Sequence, residues 1–119
     1  MTPIDILKAA RDLIADPSRW AQGYFARTET GESCASYCEK ASCWCLWGAI
    51  LKVCGFSAHT QTTPEVEAAL GLLDRAARCL YPDSWRINMP RYFAVVNDDQ
   101  DHAGVLALTD LAIELAEAA

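Results

Sequence analysis

Three groups of residues in this chain combine side-chain type and spacing in ways that could do chemistry. The first is Cys45 with His102 and either Asn97 or Asp98. A helix capped by Ser42 puts Cys45 in its first turn, where free N–H groups and the helix dipole stabilise a thiolate. His102, in the first turn of a later helix, would take the thiol proton. Asn97 or Asp98 would orient its ring, the logic of thiol hydrolases. The competing reading is packing, because Cys45 lies in an apolar stretch and buried cysteine commonly acts as a small apolar residue.

The second group is Cys34-x3-Cys38-x4-Cys43-x-Cys45, four thiols in a short span. Thiolates are good zinc ligands, but the spacing lacks the usual paired Cys-x2-Cys knuckles. If Cys43 and Cys45 are helical they point about 200° apart and cannot reach one ion. The metal-ligating set is then Cys34, Cys38, Cys43 and His59. No cofactor is expected otherwise, and zinc is the alternative.

The third group is a binding surface. Asp110, Glu114 and Glu117 line one face of the last helix with no basic neighbour on it, and Trp20 is the accompanying aromatic. Four Trp residues in 119, alongside Tyr24 and Phe25, suit a contact surface because Trp is enriched at interface hot spots. The same rings could equally fill a core.

The elements that must carry these groups follow from periodicity. Ile6, Leu7, Ala10, Leu13 and Ile14 predict a helix from Ile4 to Ala15. Asp16-Pro17 stops it and caps a short turn carrying Trp20. Gln22 to Ala41 reads as one long irregular loop, with a short extended piece at Tyr24-Phe25. Cys43 to Cys54 carries a single charge, Lys52, so this helix should be buried nearly all round and central, with Gly55 ending it. Gly48 inside it costs about 1 kcal/mol of helix propensity, a cost that close approach of another backbone would offset. Thr63 and Pro64 start a third helix, with Val66 to Leu80 as its stripe and Asp74 and Arg78 paired on its wet side. Ser84 to Asn97 fits a short helix after Pro90 or a strand at Phe93 to Val96. Asp98 caps the last helix. The expected fold is all-α, a compact bundle of four main helices in a single domain over 1–119, with the long loop between helices one and two.

Composition narrows the function further. The chain is 52% hydrophobic and 22% charged, with a net charge of −6, ordinary globular usage. The ten acidic residues from Asp5 to Asp83 balance all ten Lys and Arg, so the excess begins at Asp98. That balance opposes phosphate contacts, hence no nucleic acid. A basic protein partner suits it better. No apolar run is long enough to cross a bilayer and no basic leader opens the chain, which argues for a cytoplasmic protein without membrane contact. The six cysteines then read as mainly reduced thiols. The phosphate-loop, dinucleotide, zincin and serine-hydrolase signatures are absent.

Four blocks carry a resemblance. They are Trp20-x-x-Gly23, Trp44-Cys45-Leu46-x-Gly48-Ala49, Val96-Asn97-Asp98, and His102-Ala103-x-Val105-Leu106-x-Leu108-x-Asp110-x-Ala112-Ile113. Together they resemble an uncharacterised family of small actinobacterial and phage-encoded proteins, known only as a domain of unknown function. The resemblance implies a cytosolic setting, on a mobile element or in a phage-infected host, and brings no catalytic role. Cys34, Cys38 and Cys43 lie outside the blocks. The leading expectation is a non-enzymatic protein-binding or regulatory module; the alternatives are a thiol enzyme using Cys45 and His102 and a small zinc-binding structural domain. Oligomeric state is left open.

Overall fold

A computed structural model describes residues 1–119. Five helices and a three-stranded antiparallel sheet make up the chain, which corrects the all-α, four-helix expectation. In order they are α1 (Pro3–Leu13), a 3₁₀ turn (Pro17–Arg19), β1 (Ala26–Thr28), β2 (Ser33–Cys34), β3 (Ala41–Trp44), α2 (Leu46–Val53), α3 (Pro64–Leu80), α4 (Tyr92–Asp99) and α5 (His102–Ala118). No helix is long and apolar enough to cross a membrane.

The sheet replaces the expected loop. β1 is its middle strand, pairing Ala26 with Cys34 on one side and with Trp44 on the other. Gly31, at φ +86°, closes the β1–β2 hairpin, since glycine takes a positive φ at little steric cost. Cross-strand pairing also moves the start of α2. Ser42 lies in β3 and donates its hydroxyl to Arg27 O, so it caps nothing, and Cys45 is the N-cap. Ser-Cys-Trp-Cys has no decisive local preference, and a partner strand 15 residues away decides it.

Gly48 meets the close approach its position implied. A Cβ there would fall 1.9 Å from the backbone oxygen of Phe25. The chain just before β1 therefore lies directly on α2. This explains why α2 is apolar nearly all round: it is sandwiched between α1, α4 and β3. Two elements each pack on three other helices, α1 on α2, α3 and α5, and α3 on α1, α4 and α5. One cluster of 22 buried side chains draws from every helix, with Ala26 and Trp44 added by the sheet.

α4 resolves the ambiguous Ser84–Asn97 stretch as helix. Its N-cap residue, Arg91, is left-handed at φ 58° and supplies no side-chain cap. The cap comes from another helix. Asp74 of α3 is buried and accepts from Phe93 N at 3.1 Å, so its expected pairing with Arg78 on a wet face gives way; Arg78 instead donates to Ile87 O. α4 runs through Asp98, which is therefore not the cap of the last helix. Asp101 fills that role, accepting from Gly104 N at 2.8 Å.

The acidic face of α5 has basic neighbours after all, supplied by α1. Arg11 binds Asp110 with two nitrogens and Lys8 lies 3.5 Å from Glu117. Half-exposed pairs of this kind contribute about 0–1 kcal/mol each, enough to offset the like-charge repulsion along the helix. Glu114 is exposed and belongs to no ion pair.

Gly48→Ala should be the most damaging small substitution in α2. The added methyl meets backbone rather than a movable side chain, so a loss of about 1–3 kcal/mol or more is expected. Denaturant unfolding measures it; a loss below about 0.5 kcal/mol would mean that the Phe25 backbone does not rest on the helix.

Candidate functional site

The site grows from one buried amide. Asn97, in the last turn of α4, is 1% exposed, and its side chain makes four hydrogen bonds. Oδ1 accepts from Trp20 Nε1 at 2.9 Å and from Leu46 N at 3.1 Å. Nδ2 donates to Ala21 O and to Asp98 Oδ1, both at 3.1 Å. An asparagine amide has two donors and two lone pairs, so its capacity is fully used. Leu46 N is one of the donors that the start of α2 leaves unpaired, and Asn97 reaches it from a different helix.

The turn Trp20–Gly23 is tied to the same place. Gln22 Nε2 donates to the carbonyls of Asn97, Asp98 and Gln100, at 3.2, 3.1 and 2.7 Å, and so covers the end of α4. Gly23, at φ +81°, donates its N–H to Asp98 Oδ1 at 2.8 Å. Behind the turn, Ala21 N donates to Trp44 O. Three of the four blocks singled out in the sequence thus converge on Asn97. The fourth adjoins through His102, whose ring packs 5.6 Å from Trp20.

Beside Asn97 opens a cleft of about 150 Å³. Tyr24, Phe25 and Trp47 give it aromatic sides, Cys45 and Ala94 add to the apolar lining, and Gly23, Asn97 and Asp98 complete it. Phe25 and Trp47 meet edge to face at 5.3 Å, and His59 stacks on Phe25 at 5.5 Å. Tyr24 and Asp98 are exposed, whereas Cys45 and Asn97 are buried. A larger depression of about 440 Å³ lies under the hairpin, but Ala41 is its one apolar residue. Such a surface offers little to exclude water.

Cys45, Asn97 and Asp98 share the cleft, but His102 does not line it. The His102 Nε2 donates to Ile14 O at 2.7 Å, so its ring is committed to the end of α1. Cys45 is not set up as a thiolate. Burial pushes its thiol up to about 11, against the opposing pull of the Gly48 N–H on Sγ at 3.3 Å. The dipole argument from sequence placed Cys45 inside the first turn; at the N-cap it is enclosed, and desolvation outweighs the dipole.

The proposed zinc ligands are distributed differently. Cys34 sits opposite Ala26 and Cys43 opposite Arg27, on the two strands that flank β1. Cys34 lies near Cys38; burial, then that neighbour, raises its thiol pKa. His59 is engaged with Phe25. No group of three or more His, Cys, Asp or Glu side chains is placed to hold a metal ion. Of the expected partner-binding residues, Trp20 is half-buried and bound to Asn97, while Asp110 and Glu117 face α1.

A family model for a family of unknown function, DUF6197, matches residues 1–115. The chain belongs to that family. No curated protein and no solved structure matches it. DUF6197 membership therefore brings a family without an assigned activity, and the chemistry of this member is read from its own geometry. Gln22 and Ala94 are residues that sequence reasoning missed here, and Asp74 was placed on the wet side of its helix, whereas it is a buried cap of α4. Gln22 and Ala94 carry no sequence signal, whereas Asp74, flanked by Leu73 and Ala76 on an apolar stripe, gave a weak one.

Asn97→Ala should loosen the whole site. It strands Trp20 Nε1, Leu46 N and Ala21 O, and a stranded buried polar group costs about 1–3 kcal/mol. A net loss of about 3 kcal/mol in denaturant unfolding is expected; a neutral result would mean the turn is held by other contacts. Cys45 gives a pH prediction. Its folded pKa lies above its ordinary value of 9.0, so the fold retains a proton that the unfolded chain releases. The stability this gives is complete below pH 9.0 and is lost as pH rises towards 11. Wild type should therefore lose stability more steeply over that window than Cys45→Ala, and native Cys45 should alkylate after the exposed Cys79. Equal slopes, or early alkylation of Cys45, would contradict this.

Proposed function

We propose that this chain is a non-enzymatic protein-binding module that holds one side chain of its partner in the Tyr24–Phe25–Trp47 cleft. The observation that carries the reading is a preformed aromatic cleft of about 150 Å³ positioned by a saturated buried amide. Small-molecule and cofactor sites usually occupy about 300–1,000 Å³, whereas an apolar space of about 150 Å³ accommodates something the size of a benzene ring. One side chain fits that measure. Aromatic pockets beside a polar rim are typical binding hot spots, and Asn97 keeps this one rigid, which lowers the ordering cost of association.

The thiol-enzyme reading has Cys45 in the cleft, but burial raises its thiol pKa and His102, the base that reading needs, does not line the cleft. A cytoplasmic, phage or mobile-element setting for the contact belongs to the same proposal and rests on the sequence alone.

Selection from a random peptide library tests the reading. Wild type should enrich peptides that share one anchor residue. Those peptides should bind Ala94→Phe, which fills the cleft, and Tyr24→Ala, which opens it, about tenfold or more weakly. Thermal unfolding of both variants confirms that they fold. Peptides that bind all three proteins equally would sink the proposal.

A further inference from the structure

The cleft has a charge as well as a shape. Asp98 Oδ1 accepts from both Gly23 N and Asn97 Nδ2, so the carboxylate is fixed by a backbone group and by the buried amide. Oδ2 makes no hydrogen bond within the chain, and Asp98 lines the cleft together with Tyr24, Phe25 and Trp47. No basic residue lines the cleft. The nearby acids Asp99 and Asp101 are otherwise engaged, Asp99 with Arg86 and Asp101 as the cap of α5. Asp98 is also where the chain's excess of negative charge begins.

We infer that the side chain the cleft takes is an arginine, its guanidinium paired with Asp98 Oδ2 and its plane and stem against Tyr24, Phe25 and Trp47. This rests on the reading above and supplies the chemistry of the anchor. An anionic anchor would face the Asp98 carboxylate. A neutral apolar one would cover part of that carboxylate and give it no partner, which costs binding energy. Between the two cations, lysine carries a compact, strongly hydrated ammonium, while guanidinium is planar, weakly hydrated, stacks on rings and donates in a fork that matches a carboxylate. The chain already shows this affinity, for Arg27 lies 4.2 Å over the Tyr24 ring. Arg27 is also the cation that opposes a second one there, so the pair with Asp98 must outweigh it. Direct hydrogen-bonded contact with an oriented carboxylate does so.

The test uses acetyl-arginine-amide, titrated into the full chain with amide NMR spectra as the readout. Acetyl-citrulline-amide serves as the neutral isostere and acetyl-lysine-amide as the other cation. Arginine amide should shift Gly23, Trp47 and Ala94, bind about tenfold tighter than the citrulline probe, and weaken as salt is raised. Asp98→Asn should remove the preference, bringing arginine to the citrulline level. That variant keeps a side-chain oxygen for Gly23 N, and its own spectrum reports whether the turn stays docked. Equal binding of arginine and citrulline, tighter binding of lysine, or arginine shifts unchanged in a folded Asp98→Asn would overturn the inference. If arginine amide leaves the cleft unshifted while the selected peptides still depend on Ala94 and Tyr24, the inference fails and the binding module stands. If those peptides ignore the cleft as well, both fail.

Discussion

The side chain of Asn97 holds together parts of the chain that are otherwise far apart in sequence. It reaches Trp20 and Ala21 at 77 and 76 residues' separation and Leu46 at 51. A buried polar group without partners is costly, so the fold stands only where all of these segments arrive together. The low local dielectric makes each of these bonds stronger than it would be in water and also makes an incomplete set more damaging. The network thus works as a specificity device: the Trp20–Gly23 turn, the start of α2 and the end of α4 have one mutual arrangement in which the amide is satisfied. The cleft is a consequence of that arrangement, since Gly23, Cys45, Asn97 and Asp98 all come from its members.

Helix ends in this chain are capped across elements as well as locally. Thr2, Cys45, Thr63 and Asp101 are local side-chain caps. Leu46 N is capped by Asn97, Phe93 N by Asp74, and the end of α4 by Gln22. Each cross-element cap satisfies a terminal backbone group that would otherwise need water. α4 depends on this most. At eight residues and with a left-handed Arg91 in place of a capping side chain, it is too short to persist alone. Asp74 at one end and Gln22 at the other hold it against α3 and the 20–23 turn.

The same arrangement explains why a cysteine at a helix start has its thiol pKa raised rather than lowered here. A thiol in the first turn of an exposed helix gains from the dipole, but Cys45 has been drawn beneath the Phe25 backbone, which accepts its N–H at 3.3 Å. Gly48 makes that cover possible. The glycine that weakens the helix locally is what lets the chain leading into β1 close over it, and closure is what raises the thiol pKa.

How much of this was legible from sequence divides by range. α1, α3 and the Asp16–Pro17 turn follow from apolar spacing, a capping side chain and proline, all of which act within a few residues. Gly48 announced a close backbone, because a glycine in an apolar helix needs such a reason. The sheet was not legible: β1 and β2 together span five residues, with no alternation long enough to register, and their stability comes from pairing with β3. The start of α2, the burial of Asp74 and the α1 partners of Asp110 and Glu117 were decided in the same way. Cys45, Asn97 and Asp98 could be named from sequence as residues able to do chemistry. Only the tertiary structure could bring them to one cleft and leave His102 outside it, because residue type fixes what a group can do, while desolvation and distance fix whether it does.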